Sequence, residues 1–167
     1  MTYNGHTYYL IATTVESGET AWNDARTYLQ EKFSCDLAII NDADENQALF
    51  DFTREKTTEA YFGLSDANSE GEWIWIDGSA LTYSNWDSDE PGGSESDNYA
   101  YFCFDDGTWN DGDVSYLGYV QENGVYFIGE KDNNSSSGSD SLCKVQLAQW
   151  SFEYRSSSPL EKFFGAV

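Results

Sequence analysis

The sequence predicts a single domain of the α+β class. Two helix-type patterns occupy residues 20–33 and 41–56, and from Tyr61 onward short strand-type runs alternate with turns rich in Gly, Asn, Asp and Ser. Helices segregated from strands in this way are typical of α+β folds. The chain has 167 residues, of which 17% are aromatic, and this supports one packed core and excludes a disordered chain.

The first predicted element is a strand from Thr7 to Val15, because β-branched and aromatic residues fill this run. A helix follows from about Thr20 to Phe33. Trp22, Ala25 and Leu29 recur in it at intervals of three and four residues, so they form one apolar face.

A short strand, CDLAII at residues 35–40, separates this helix from the second one. The second helix is predicted to begin at Asn41, a favourable N-cap residue, and it carries acidic residues in its first turn. Ala48, Leu49 and Phe52 are expected on its apolar face.

The second half of the chain predicts strands and loops. Six short runs are rich in aromatic and β-branched residues and are bounded by turn residues: YFGLSD, EWIWID, LTYSNW, NYAYFCF, GTWND and LGYVQE. We expect the domain to span residues 1–123. Residues 124–167 are expected to be a C-terminal extension with a Ser/Gly/Asn-rich loop at 131–141. In it, GVYFIGE and LCKVQLAQWSFEY form an extra β-hairpin packed on the domain, or else begin a further module.

The charge of the chain is strongly acidic, with 30 Asp and Glu against 8 Lys and Arg and a net charge of −22. Between Lys56 and Lys131 there are 16 acidic residues and no Lys or Arg. A surface of this sign repels phosphate backbones and anionic lipid, which excludes nucleic-acid binding and disfavours membrane association. The remaining interpretations are a metal cation, a neutral ligand, or a solvated acidic surface suited to a salty medium.

Cysteine and histidine usage argues against a zinc site. The chain has three cysteines, no CxxC pair and one histidine, His6. Cys103 and Cys143 form one conceivable disulfide, but their spacing does not establish it. We find no membrane-spanning run and no signal-peptide pattern, so the chain is expected to be a module of a larger secreted protein.

The densest group of oxygen donors lies between Asn85 and Asp111, where Asp, Glu and Asn side chains alternate with glycines. Calcium takes 6–8 oxygen ligands of these types, so this segment predicts a calcium site. Pro91 directly follows Glu90 among these donors, so the bond between them is a candidate for a cis peptide.

Several of these motifs, in this order, resemble the C-type lectin domain. AWNDARTYLQEKFSCDLAIINDADENQAL resembles the two-helix half of that family, and YFGLSDANSEGEWIWIDGSALTYSNW resembles its central stretch. DEPGG, DN and DGTWND resemble the Glu-Pro-Asn loop and the Trp-Asn-Asp strand, and LGYVQE resembles the closing strand. The resemblance covers roughly residues 7–122 and implies an α+β fold with small antiparallel sheets and a long calcium-binding loop region.

The resemblance also implies which residues bind the ion. The principal calcium site would use four of them: Glu90, Asp97, Asn110 and Asp111. An auxiliary site would use Asp66 and Glu70. In this family the principal calcium holds two neighbouring sugar hydroxyls, which donate hydrogen bonds to the acidic ligands and accept them from amide ligands.

The sequence departs from the family pattern at two places. Gly92 stands where the family has the Asn of Glu-Pro-Asn, so one amide ligand is missing and Ser94 or Glu95, or water, is expected to substitute. Family cysteines are also replaced, at Leu29, Tyr99 and Gln121. Bacterial-type members often lack these bridges, and the chain is therefore expected to be a microbial surface protein.

These observations favour calcium-dependent binding of fucose- or mannose-type glycans in cell adhesion, at an extracellular location. Four tryptophans are expected in the core: Trp73, Trp75, Trp86 and Trp109. Trp86 and Tyr99 also lie near the loop and are candidates for stacking on a sugar. The alternative is a protein- or peptide-binding domain with structural calcium only. An enzyme is not expected, because the sequence offers no nucleophile–base pair.

Overall fold

The computed structural model describes residues 1–13, 20–103, 105–113 and 124–133. Two helices and eight strands lie in these ranges, which confirms the α+β class. In chain order they are β1 (Thr2–Tyr3), β2 (His6–Thr13), α1 (Thr20–Phe33), β3 (Asp36–Leu37), α2 (Ala43–Thr53), β4 (Ala60–Ser65), β5 (Ile74–Trp75), β6 (Tyr99–Cys103), β7 (Thr108–Gly112) and β8 (Val125–Asp132).

The strands form one sheet with the order β1-β2-β8-β4-β6-β7, to which β3 adds on β8 and β5 on β4. β8 is antiparallel to β2 from Thr13↔Val125 to His6↔Asp132 and parallel to β4 at Tyr61↔Phe127. The last described strand of the chain therefore lies in the middle of the sheet.

The central position of β8 differs from the expected end of the domain at residue 123. GVYFIGE was assigned to an extension beyond residue 123, but β8 is a central strand whose apolar residues Val125, Phe127 and Ile128 are fully buried. The described sheet therefore continues to Asp132. The expected closing strand at 117–122 and the hairpin partner at 142–154 lie outside the described residues.

A carboxylate fixes each of the two helices. On α1 the predicted face is confirmed, because Trp22, Ala25 and Leu29 are all buried. Arg26 donates to both carboxylate oxygens of Asp36, with Nε–Oδ1 at 2.9 Å, and so links α1 to β3.

At the start of α2 the N-cap is Asp42, not Asn41. The Asp42 carboxylate accepts a hydrogen bond from the Glu45 N–H at 2.8 Å. Asn41 lies one residue earlier and donates to the Glu45 carboxylate through both its main chain and its side chain. The buried face of α2 also differs from the predicted one: Leu49 is buried, but Ala48 and Phe52 are only partly covered.

Two apolar cores lie on opposite faces of the sheet. Successive side chains of a strand point to opposite faces, and in β6 Tyr99 and Tyr101 join the core that contains α1, while Ala100 and Phe102 join the core that contains α2. Trp22 belongs to the first core, and the four tryptophans from Trp73 to Trp109 belong to the second. Trp75 and Trp109 are buried as expected, whereas Trp73 and Trp86 are half-buried and make an edge contact with ring centroids 4.8 Å apart.

Gly129 of β8 lies directly against Leu29 of α1. A Cβ at residue 129 would be 2.5 Å from Leu29 Cδ2, which is closer than carbon atoms approach. Leu29 was aligned with the first family cysteine and Gln121 with the last. In the structure the residue opposite Leu29 is Gly129, and Gln121 lies outside the described residues.

We expect Gly129→Ala to lower the free energy of unfolding by about 1–3 kcal/mol, because the added methyl overpacks a fully buried contact. Denaturant unfolding measures this cost. In a Leu29→Ala background the same change should be nearly neutral, since the methyl then fills a cavity. An equal cost in both backgrounds would show that the close contact with Leu29 is not its cause.

Candidate functional site

The site lies on the long loop between β5 and β6, where that loop runs beside β7. Two main-chain hydrogen bonds of 2.8 Å hold it there, from Asp87 N to Trp109 O and from Trp109 N to Asn85 O. The Asn85 side chain adds a bond to the Gly107 carbonyl at 2.8 Å. Because residues 85–87 are anchored in this way, the acidic segment that follows is brought against the end of β7.

Three of the predicted ligands converge here: Glu90, Asn110 and Asp111. The Glu90 carboxylate lies next to the Asp111 carboxylate, and the Asn110 side chain is within reach to donate to Glu90. Asn110 also donates to Cys103 Sγ at 3.9 Å. The Glu90–Pro91 peptide bond is cis, which confirms that prediction. Asp111 is buried, with 8% of its surface exposed.

The main chain of Gly92 contributes a donor that sequence reasoning missed. Its N–H donates to Asp111 Oδ1 at 2.9 Å. A Cβ at residue 92 would lie 3.1 Å from Glu90 Oε2, so a larger residue there would require the Glu90 carboxylate to shift by a few tenths of an ångström. The missing side chain was visible in the sequence, but the hydrogen bond that accompanies it depends on the loop conformation.

Asp97, the fourth predicted ligand, is hydrogen-bonded to the main chain at the end of the loop. Its Oδ1 accepts from the Asp113 N–H at 3.2 Å, and its own N–H donates to the Ser94 carbonyl at 2.9 Å. The first of these bonds connects the end of the loop to Asp113, the residue that follows β7.

Asp66 and Glu70 lie at the other side of the loop region, after β4. Asp66 is only 3% exposed, and its Oδ2 accepts from the Gly71 N–H at 2.9 Å. Its Oδ1 is buried without a hydrogen-bond partner among the described residues. A buried carboxylate oxygen in this state is costly unless it is paired, so the arrangement fits a bound cation.

The charges of the region act on one another. Desolvation raises the pKa of Glu70, and nearby acidic side chains raise it further: Asp66, Glu95, Asp111 and Asp97. Desolvation, the hydrogen bond with Asp111 and the charges of Asp111 and Asp87 raise the pKa of Glu90 to about 7. Both carboxylates are therefore destabilised as anions, and a divalent cation would relieve the repulsion.

The described residues do not contain a complete metal cluster, since no three Asp, Glu, His or Cys side chains among them converge closely enough. The carboxylates instead form two groups, Glu90 with Asp111 and Asp66 with Glu70. Each group can supply part of a calcium shell, which amide oxygens, carbonyl oxygens and water can complete.

Comparison with known proteins agrees with this geometry. The family model for the lectin C-type domain matches residues 18–121, more than half of the chain. The chain belongs to the C-type lectin domain family. The lectin C-type domain family is a non-enzymatic binding fold.

Relatives share parts of the chain at moderate identity. The human C-type lectin domain family 17, member A, is 34% identical over 110 residues, which cover 65% of this chain and 27% of that relative. The carbohydrate-recognition domain of the mouse scavenger receptor C-type lectin is 26% identical, with a TM-score of 0.62, covering 82% of this chain and 96% of that one.

Two further solved structures are similar to this chain. The carbohydrate-recognition domain of cow CD23, solved with a GlcNAc2Man3 oligosaccharide, is 25% identical with a TM-score of 0.58, covering 78% of this chain and 91% of that one. Herring type II antifreeze protein has a TM-score of 0.63 at 18% identity, covering 78% and 94%, and shares the fold alone. These relatives are animal proteins and give no support to a bacterial-type member.

Three further residues of this C-type lectin domain were predicted to contact the sugar: Ser94, Glu95 and Tyr99. Ser94 and Glu95 are exposed on the loop, where the Ser94 hydroxyl lies 2.9 Å from that of Ser96. Tyr99 is 4% exposed and its ring stacks on Trp22 at 5.2 Å. Its ring faces the core because alternate residues of β6 point toward α1, so the expected stacking of Tyr99 on a sugar is wrong.

The raised pKa of Glu90 predicts a pH dependence of stability in chelator. An acid whose pKa rises from 4.5 to about 7 on folding binds more protons folded than unfolded, so its contribution to stability falls as pH rises through that window. We expect the free energy of unfolding of Glu90→Gln to increase relative to that of the unmodified chain as the pH rises from 4.5 to 7. Thermal unfolding across this range measures the difference, and a difference that does not change with pH would contradict the shift.

Proposed function

We propose that this C-type lectin domain binds glycans in a calcium-dependent manner without catalysing a reaction, and that it selects fucose- or mannose-type hydroxyl pairs. The observation that carries the proposal is the convergence of Glu90, Asn110 and Asp111 beside the cis Glu90–Pro91 bond. This group combines carboxylate acceptors with an amide donor, which is the mixture that recognition of a sugar hydroxyl requires.

In the proposal, four residues hold the principal calcium: Glu90, Asp97, Asn110 and Asp111. Asp66 and Glu70 hold an auxiliary ion. When bound, calcium supplies coordination positions for two neighbouring hydroxyls of a sugar. The protein residues do the rest: the carboxylates accept hydrogen bonds from those hydroxyls, and the Asn110 amide donates to one of them.

Gly92 leaves this site with one amide fewer than the family pattern. Its main-chain N–H already donates to Asp111, so it does not replace the lost side-chain donor to the sugar. We assign the donor role to the Ser94 hydroxyl and the lost ligand oxygen to the Glu95 carboxylate, since both residues are exposed on the same loop. Water completes the coordination shell in this proposal.

We also propose that the domain serves cell adhesion at an extracellular or cell-surface location, as one module of a larger protein. The match to the human relative spans 27% of that protein's length, which supports a modular context. No helix among the described ranges is long and apolar enough to cross a membrane. A single site of this type gains useful attachment through multivalency.

A glycan array tests the function. We expect the purified domain to bind fucosylated or mannosylated glycans in millimolar calcium and to lose them in excess chelator. An array without signal in both conditions would contradict glycan binding. It would favour the alternative of a protein- or peptide-binding domain with structural calcium, which the loss of the amide at Gly92 makes a specific candidate.

Asp66 provides a second test, of the auxiliary site. In chelator we expect Asp66→Asn to raise the melting temperature, because a neutral amide can still accept from the Gly71 N–H while the unpaired buried charge is removed. In millimolar calcium we expect the unmodified domain to have a higher melting temperature than Asp66→Asn. Glu72→Gln, which changes an exposed carboxylate nearby, is the matched control. If the order stays the same in both conditions, Asp66 does not bind calcium.

A further inference from the structure

We propose that the site accepts uncharged sugars and excludes anionic ones, namely sialylated, sulfated and uronate-containing glycans. The inference rests on the proposed function and adds the charge class of its ligand. It starts from the placement of charge: between Lys56 and Lys131 there are 16 acidic residues and no Lys or Arg, and the whole loop region lies inside this interval.

The structure brings these carboxylates together around one loop. Seven of them form a set in which the others act electrostatically on Glu70 or Glu90: Asp66, Glu70, Asp87, Glu90, Glu95, Asp97 and Asp111. Even two calcium ions leave this group with three negative charges in excess. The buried, unpartnered Oδ1 of Asp66 adds an independent sign that the region is arranged for a cation.

The arginines that the structure places are paired elsewhere. Arg26 is bound to Asp36 at 2.9 Å beside β3, and Arg54 contacts Asp51 at 3.2 Å at the end of α2. Recognition of sulfate or carboxylate relies on Arg or Lys donors. An anionic substituent near the sugar hydroxyls would therefore meet excess negative charge without such a donor from the loop.

Asp87 is the residue through which this selectivity can be tested. It is not a proposed calcium ligand, its charge acts on Glu90, and its main chain is anchored to Trp109. Asp87→Lys reverses one charge beside the site while leaving the proposed ligands in place. Glu55→Lys makes the same charge change at an exposed position beyond the end of α2 and serves as the control.

The experiment is a glycan array in millimolar calcium with matched pairs, each a neutral fucosylated or mannosylated glycan and its sulfated or sialylated counterpart. We expect the unmodified domain to favour the neutral member by at least about tenfold at physiological salt, and the preference to shrink at higher salt as the charges are screened. Asp87→Lys should gain binding to the anionic members, and Glu55→Lys should not.

The outcomes separate this inference from the function on which it rests. Equal binding of neutral and anionic members, or a preference for the anionic ones, would overturn the exclusion while leaving calcium-dependent glycan binding intact. Absence of all binding would overturn both. A calcium-induced rise in melting temperature that Asp87→Lys retains would show that the variant is folded and still binds the metal, so that its glycan profile is interpretable.

Discussion

Asp111→Ala is expected to abolish calcium-dependent sugar retention while the domain stays folded. Asp111 is 8% exposed, lies next to the Glu90 carboxylate and accepts from the Gly92 N–H at 2.9 Å. It therefore joins the end of β7 to the acidic loop on which the proposed ligands lie. Loss of a ligand should weaken metal binding by on the order of 100-fold or more, because removing even an outer partner of a metal ligand costs roughly 10–100-fold.

Retention on a mannose- or fucose-bearing column measures this effect, together with the melting temperature in chelator as a check on folding. Asp105→Ala is the matched control, since it removes an exposed carboxylate from the turn between β6 and β7. Undiminished retention of Asp111→Ala would place the binding site elsewhere on the domain.

Trp109→Ala is expected to have the largest effect on stability, a loss of about 3–5 kcal/mol in the free energy of unfolding. The side chain is fully buried, and its ring packs against those of Phe62, Tyr83 and Trp86 at centroid distances of 5.1, 5.6 and 5.6 Å. Its Nε1–H donates to Asn46 Oδ1 at 2.6 Å, which links β7 to α2.

Urea unfolding measures the loss, and Ile74→Ala provides the contrast because Ile74 is 38% exposed and should cost far less. Trp109→Phe separates packing from hydrogen bonding. It keeps an aromatic ring but leaves the buried Asn46 oxygen without this donor, which should cost about 1–3 kcal/mol. A loss below about 1 kcal/mol for Trp109→Ala would contradict the central packing role.

The local features of this fold could be predicted from sequence because each depends on neighbouring residues. The face of α1 follows from the spacing of Trp22, Ala25 and Leu29. The position of Pro91 after Glu90 made a cis bond a candidate, and the resemblance to the family implied it. The position of the N-cap was missed by one residue. Asn41 and Asp42 are both good N-cap residues, and only the hydrogen bond from Glu45 N decides between them.

Long-range pairing was harder to predict, and β8 shows why. The runs 117–122 and 125–130 both have the composition of a strand, so local pattern does not determine which one pairs with β2 more than a hundred residues away. The contact of Gly129 with Leu29 follows only from that register. The burial of Tyr99 likewise depends on which face of β6 is covered by α1.

The candidate site was predictable by residue type and only partly by geometry. The alternation of acids, Asn and Gly indicated oxygen ligands for a cation, and Glu90, Asn110 and Asp111 do converge. Asp97 instead accepts from the main chain of Asp113, and Gly92 donates to Asp111. Such contacts depend on how the loop is anchored along β7, which no local pattern encodes.

The melting temperature of the domain as a function of calcium concentration tests the central claim most directly. An ion that binds only the folded state stabilises it by about 2.7 kcal/mol at 100 times the dissociation constant, which corresponds to roughly 5–10 °C for a chain of this length. We expect such a rise in calcium, its reversal by chelator, and its loss in Asp111→Ala. A melting temperature that calcium leaves unchanged would contradict the assignment of the acidic loop as a calcium site.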